Sequence, residues 1–438
     1  MLFDPATAAI IALALVFVLM IGGVHIGVAL GLGGILGMYL SIGLDTALAQ
    51  VSTVPFASVN NFTLAVIPLF ILMGSFATQA KLTTDLYRAA YNWFSRLPGG
   101  LAMTTTMASA AFGAASGSTM VNAAVFTKMA MPEMTNAGYD KRLSSGSIAS
   151  AGVLSAMIPP SVLMVVYAIT TEQSVGKMLI AGLIPGIMTA IIFLVGIYIW
   201  AKIKPEHAPL PPHHVSMKEK VRSLKDTWGI LLLFTLVIGG IYGGFFIPTY
   251  AGAIGAFGAF LLVLFKRRAT RASMQETFLE ALLASSTIFM VIIGGMIFAR
   301  FLTYTGLVST VSDWLIAQEL SPFSYLMAFA LLFLVLGMFI EPIAIMVMTL
   351  PVIFPVMMNV GYDPIWLGVV VIKMCEISLI TPPVGLNVFV VRSSSPVPLR
   401  LEQVFAGVTP FILMEVFALA LLIMFPALVT WLPNLSRG

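Results

Sequence analysis

Four places in the sequence gather hydroxyl, amide and bare backbone oxygens with almost no fixed charge. They are Ser116-Gly117-Ser118-Thr119, the stretch from Gly337 to Pro342, Ile158-Pro159-Pro160, and Thr381-Pro382-Pro383-Val384-Gly385. A Pro-Pro pair removes two amide donors and frees the carbonyls that faced them. Around these breaks cluster Ser116, Ser118, Thr119, Asn122, Ser155 and Ser161, then Glu341, Ser378, Thr381 and Asn387. Neutral oxygens of this kind suit a weakly held monovalent cation such as Na⁺, and the free amides at a helix start suit an anion. The competing reading is that these are Gly/Ser/Thr packing contacts, common between membrane helices. Any one residue is open to that reading. The four breaks together weigh against it, because they fall into two matching pairs, which packing alone does not predict.

Charged residues inside apolar stretches need a separate account, since each costs about 3 kcal/mol or more at mid-bilayer. Lys373 and Glu376 are three apart and share a helix face, so they are placed to pair; the alternative is a direct role in substrate binding or coupling. Glu341, just before Pro342, is placed to cap the helix that follows, with ion ligation as the alternative. Glu415 has no partner within reach along the sequence, and Arg300 is placed to snorkel to the outer interface. Enzyme signatures are weak. The chain has no GxxxxGK[ST] phosphate loop, no HExxH and no Cys cluster, and Ala114-Ala115-Ser116-Gly117 lacks the first Gly of an intramembrane serine protease motif. Of its histidines, His25 lies near a helix end, while His207, His213 and His214 lie in a polar linker that reads as a solvated loop.

Hydrophobic residues make up 59% of the chain and charged residues 9%, against roughly 25% charged in a soluble domain. The bilayer must therefore be the solvent for most of the chain. No basic run is interleaved with exposed aromatics, which argues against nucleic acid as a partner. The single cysteine, Cys375, cannot form an internal disulfide. The apolar N-terminus has no preceding Lys or Arg and reads as a membrane helix rather than a cleaved signal. Crossings are expected at about 5–22, 25–43, 62–80, 144–170 and 178–203, then 228–246, 250–266, 280–303, 364–392 and 405–432. Most of the 22 basic residues, including those of the 203–227 linker and the 266–271 turn, fall on one side, which is then cytoplasmic, with both termini outside. On this topology the GAASGS segment enters the membrane from the cytoplasm and the GMFIEP segment from outside. Each is a re-entrant hairpin, tolerated only where protein or water covers its backbone.

The two halves repeat. Gly138-Tyr139-Asp140 recurs as Gly361-Tyr362-Asp363, and Pro159-Pro160 recurs as Pro382-Pro383 at the same separation. Gly31, Gly34 and Gly37 match Gly252, Gly255 and Gly258 at nearly that separation. Five crossings per half is an odd number, so the second half is inverted relative to the first. Inverted repeats with paired broken segments mark secondary transporters.

The segments IPLFILMGSFA (67–77), GAASGSTMVNAAVF (113–126), MIPPSVLMVVYA (157–168), GMFIEPIAIMVMTLPVIFPV (337–356) and ISLITPPVGLNVFVV (377–391) resemble the large membrane subunit of TRAP (tripartite ATP-independent periplasmic) transporters along essentially the whole chain. The resemblance implies an all-α polytopic membrane protein with an elevator-type ion-transporter fold: an inverted repeat of five crossings each, with two re-entrant hairpins. Its parts would be a scaffold (1–98 and 228–320), a transport domain (99–203 and 321–438) and a cytoplasmic linker (204–227), with 82–98 and 306–320 as interfacial arms. It further implies Na⁺-coupled uptake of a small organic anion (carboxylate, sugar acid or sulfonate) across the bacterial inner membrane, and no enzyme activity. The implied partners are a small membrane subunit, a periplasmic substrate-binding protein and membrane lipid. Candidate Na⁺ ligands are Ser116, Gly117, Ser118, Thr119, Asn122, Met157 and Pro159, with Gly337, Glu341, Pro342, Thr381, Pro383, Gly385 and Asn387 as their mates. Candidate substrate contacts are Ser118, Ser161, Thr381, Asn387 and Lys373. Because Glu341-Pro342 stands where the first tip has Ser118-Thr119, the two ion sites cannot use identical side chains. A stand-alone Na⁺/dicarboxylate carrier of the same architecture is the alternative, with an intramembrane hydrolase a distant third.

Overall fold

The structure, a computed structural model, describes residues 3–210 and 215–435, and among these every regular element is helical. His213 and His214 lie outside the described residues. The first half runs α1 (Pro5–Ile21), α2 (Ile26–Ser41), α3 (Leu44–Val59), α4 (Val66–Gln79), α5 (Leu82–Phe94), α6 (Gly100–Ser116), α7 (Thr119–Asn136), α8 (Lys141–Met157), α9 (Val162–Thr170), α10 (Val175–Ala181) and α11 (Leu183–Ile203). The linker holds α12 (Met217–Asp226). The second half runs α13 (Trp228–Phe234) and α14 (Gly240–Tyr242) with a π turn between them, then α15 (Pro248–Phe265), α16 (Arg271–Tyr304), α17 (Leu307–Ile316), α18 (Pro322–Gly337), α19 (Pro342–Asn359), α20 (Pro364–Ile380), α21 (Leu386–Ser394), α22 (Leu401–Met424) and α23 (Ala427–Leu435).

Six helical stretches are long and apolar enough to cross a bilayer, and two bent pairs, α8 with α9 and α12 with α13–α14, bring the number to eight. The ten crossings expected from sequence exceed this because several are divided. The α20–α21 segment is two short helices, and α1 and α2 have 17 and 16 residues, slightly under the ~20 that span a ~30 Å core. In contrast, α16 has 34 residues and at 1.5 Å per residue is about 51 Å long. The 44–59 segment, expected only as a connection, is the helix α3, and the linker contains a helix as well. In α12, Ser216 and Glu219 form a capping box at its start, and the helix packs on α5, where the Trp93 indole donates to the Lys220 carbonyl.

The repeated motifs have local physical causes. Gly138 and Gly361 end α7 and α19 with left-handed backbone (φ +78° and +92°), where glycine is favoured. The aspartates that follow cap the next helices. Asp140 accepts from the Arg142 and Leu143 amides, and Asp363 from the Trp366 amide. The tyrosines between them diverge: the Tyr139 hydroxyl accepts from the Leu101 amide, whereas Tyr362 stacks on Trp366. The glycine stripes also act alike. Gly31, Gly34 and Gly37 in α2 face Gly294, Phe298 and Phe301 of α16, and Gly252 and Gly255 in α15 face Leu69, Phe70 and Met73 of α4. Thus α2 lies on α16 as α15 lies on α4, a reciprocal exchange between the halves. The closest approach is Gly27 against Gly294, where an added Cβ at Gly294 would collide with the Gly27 carbonyl. Small residues let helix backbones meet in this way.

These paired helices frame the hairpins. Gly74 of α4 packs on Ala115 and Ser116 at the tip of α6–α7, and Gly295 of α16 packs on Val347 of α19. The arms expected from mixed polarity are the helices α5 and α17. Asp85 of α5 is ion-paired with Lys266 beside the basic turn.

Candidate functional site

A cleft of about 810 Å³, counting its solvent-filled mouth, lies where the two hairpin tips meet. Its wall includes Ser116 to Val121 from the first tip, Glu341 to Ile343 from the second, and Val162 and Leu163 from α9. The remainder is Ile71, Gly74, Ser75 and Thr78 of α4, with Glu280, Ala284 and Ile288 of α16. The first turns of α7, α9 and α19 therefore all border one space. Each helix start carries partial positive charge and unpaired amides, and these face a wall that holds the Glu341 and Glu280 carboxylates and no Lys or Arg.

The tips are built alike. Gly117 ends α6 at φ +60°, and Ser118 caps α7, accepting from the Val121 amide at 3.5 Å. Glu341 holds the equivalent capping position on α19, with Pro342 as the first helical residue, but its side chain makes no capping hydrogen bond. This corrects the capping role expected for Glu341. Pro342 has no amide to offer, and the carboxylate borders the cleft instead.

The breaks differ more. Pro159 and Pro160 are buried, both Pro-Pro bonds are cis, and a Cβ on Gly117 would lie 2.7 Å from the Pro160 carbonyl oxygen. The first tip therefore rests on the first break. Ser161 caps α9 and donates its hydroxyl to the Ala156 carbonyl, and buried Met157 closes α8. At the second break Pro382 and Pro383 are exposed, and Gly385 (φ +61°) opens α21. Gly337 packs on Ser378, one turn before that break, while the Thr381 hydroxyl donates to the Ile377 carbonyl at 2.6 Å.

Whether these residues fit a monovalent cation can be judged from their unused acceptors. Ser116 Oγ, Asn122 Oδ1 and Asn387 Oδ1 are buried with no hydrogen-bond partner among the described residues. Their amide nitrogens are occupied: Asn122 donates to the Ser109 carbonyl at 3.0 Å and Asn387 to the Ala149 carbonyl at 3.3 Å. Buried acceptors without donors are costly, and a cation relieves that cost, so the donor set fits. Asn387 lies against α8, where Gly152 separates its amide from Ala123 and the Thr119 carbonyl, rather than at the second tip with which sequence order groups it. Ser161 and Thr381 do not line the cleft, and Lys373 is buried outside it. Glu280 is a lining carboxylate that sequence reasoning did not single out. Its helix carries no break, and nothing local marks it as facing the cleft.

An all-helical, membrane-spanning chain with two hairpin tips meeting at one cleft has the build of a multi-pass transporter. The comparisons agree. Residues 13–428 match the family described as "Tripartite ATP-independent periplasmic transporter, DctM component". The chain belongs to that family, and it is a transporter rather than an enzyme. Its relatives include the C4-dicarboxylate TRAP transporter large permease protein DctM of Pseudomonas aeruginosa, 36% identical over 86% of this chain and 88% of that protein. The protein of the same name from Vibrio cholerae is 33% identical over 98% of both chains. The Alcanivorax borkumensis YdaH transporter, at 14% identity, shares the fold with a TM-score of 0.58 over 91% of this chain and 92% of that one.

Proposed function

We propose that this chain carries a small organic anion inward across the bacterial inner membrane, driven by Na⁺, and that a periplasmic binding protein delivers the anion to it. The observation that carries this reading is the cleft itself, where three helix starts converge and buried acceptors without partners stand at and behind the first tip. The relatives named for C4-dicarboxylates make a short dicarboxylate the first substrate to test. Na⁺ is held between Ser116, Asn122, Asn387 and the carbonyls of the Met157–Ser161 break, and a second ion between Gly337 and the Thr381–Gly385 break.

With the basic side cytoplasmic and both termini periplasmic, the two halves are inverted copies with five crossings each. The cleft then opens inward, because its α4 and α16 walls are the ends next to the basic turn: Thr78 lies close to Lys81, and Glu280 close to Arg271. The exposed second break lies on the cytoplasmic half of its crossing, with α21 leading on to Arg392. The mechanism is an elevator. Residues 99–203 and 321–438 move as a body against the frame formed by 1–98 and 228–320, with α5 and α17 as the arms between them. A small membrane subunit borders the frame, and the rest of its outer surface faces lipid.

The test is uptake in proteoliposomes containing this chain, with and without its small membrane partner and cognate binding protein, under a Na⁺ or a proton gradient. Uptake that needs all three parts and Na⁺ is expected. Uptake that ignores Na⁺ and follows protons would overturn the coupling, and robust uptake by this chain alone would overturn the dependence on a donor.

A further inference from the structure

Outside the cleft, three charged side chains meet deep in the protein. Lys373 of α20 holds its ammonium 2.8 Å from Glu376 Oε2, 2.5 Å from Glu415 Oε2 of α22 and 2.9 Å from the Thr189 hydroxyl of α11. All three charged residues have no exposed surface. The cluster contains one cation and two carboxyl groups, so full ionisation would leave one uncompensated negative charge out of reach of water, an arrangement buried sites do not sustain.

Among the described residues, nothing on the surrounding helices supplies the missing positive charge, and Arg400, at the start of α22, is about four turns from Glu415. Lys141 and Arg142 start α8, Lys202 ends α11 and Arg392 ends α21, all remote along their helices from the cluster, and Lys177 of α10 is exposed. The acidic groups Asp363, which caps α20, and Glu402, in the first turn of α22, are also at helix ends, and Glu341 borders the cleft. The titratable groups buried nearby are uncharged: Cys375 lies beside Glu376, and the Tyr167 hydroxyl is committed to the Pro364 carbonyl at 2.7 Å. Glu376 Oε1 and Glu415 Oε1 have no partner among the described residues. Only a species small enough to fit between them can restore neutrality.

We propose that Glu376 and Glu415 share one bound proton at neutral pH, making this cluster a buried proton site that clasps α20 to α11 and α22. One proton brings the count to a single ammonium, a single carboxylate and a single neutral acid, as when paired carboxyl groups share a site. The site lies in the helix that ends at the second break, little more than one turn before Thr381.

Infrared spectroscopy of the full chain in lipid at neutral pH, in H₂O and D₂O, tests this through the isotope-sensitive C=O stretch of protonated carboxyl groups. Glu415→Gln leaves a neutral Lys373–Glu376 pair and should fold. Relative to it, the wild type should show one additional protonated carboxyl, and Lys373→Met should show two. Equal bands in the wild type and Glu415→Gln would overturn the proposal, whether or not Lys373→Met folds. In that event, growth of the wild-type band on removing Na⁺ would identify a metal cation as the balancing charge instead.

Discussion

Pro159 and Pro160 are buried beneath the first hairpin tip, whereas Pro382 and Pro383 are exposed, with the second tip meeting α20 a full turn before them. The two segments share a Pro-Pro pair that ends one helix shortly before the next begins, although Ser161 caps α9 while Gly385 opens α21 with no side-chain cap. Cover, by contrast, is set by what packs on each segment, and the repeat does not fix that. On the proposed mechanism this inequality is the working asymmetry of a two-sided carrier. In one state the first break is sealed and the second open, and the opposite state exchanges them.

The largest effect that can break this comparison is chemical access. Single cysteines at Pro383 and at Pro160 should differ almost completely, with Pro383→Cys reacting with a water-soluble maleimide and Pro160→Cys protected. Native Cys375 is fully buried and contributes no background. Equal labelling of both would erase the distinction, and labelling of Pro383→Cys from the periplasm in intact cells would reverse the inward assignment.

Next in size is the cost of a side chain at each tip glycine. In Gly117→Ala, left-handed backbone costs about 1–2 kcal/mol, and crowding against the Pro160 carbonyl adds about 1–3 kcal/mol. Gly385→Ala meets its nearest atom at 3.2 Å, on the Phe405 ring, so the backbone cost of about 1–2 kcal/mol dominates and crowding adds less than at Gly117. Thermal unfolding in detergent should rank them in that order, and a larger loss in Gly385→Ala would show that the second break is covered after all.

Loss of an ion ligand should be smaller. Asn122→Ala and Asn387→Ala each remove one neutral acceptor, worth about 1 kcal/mol, so half-maximal uptake should need roughly fivefold more Na⁺. An unchanged Na⁺ dependence in both would remove these residues from the ion sites. The smallest contrast concerns the caps. Ser118→Ala should destabilise by about 0.5 kcal/mol, the low end for a cap because its bond is long. Glu341→Ala loses no capping bond and should cost less than that in stability while altering uptake. A Glu341→Ala loss of stability equal to that of Ser118→Ala would restore its capping role.

What the sequence revealed follows from the range of each interaction. Breaks, caps and glycine stripes are local, so the two tips, the Gly-Tyr-Asp repeat and the helical character of α5 and α17 were all legible. The Lys373–Glu376 pair was legible too, lying three apart on one helix. Its third member, Glu415, was visible only as an unpartnered charge, because the partner comes from another helix. Glu280 went unnoticed because its place in the cleft depends on how α16 crosses the hairpin tips. The helix α3 was missed because its polarity is mixed, with Gln50 and Ser58 buried and Leu48 and Phe56 exposed.

The contact between Gly27 and Gly294 carries a consequence for how such a frame can evolve or be re-engineered. Two backbones meet there with no side chain between them, so neither position can accept a larger residue first and wait for the other to compensate. The crossing has no intermediate through which to drift, and it links the ancestry of the two halves. A chimaera that takes α2 from one relative and α16 from another should therefore assemble only if both donors have kept this point bare.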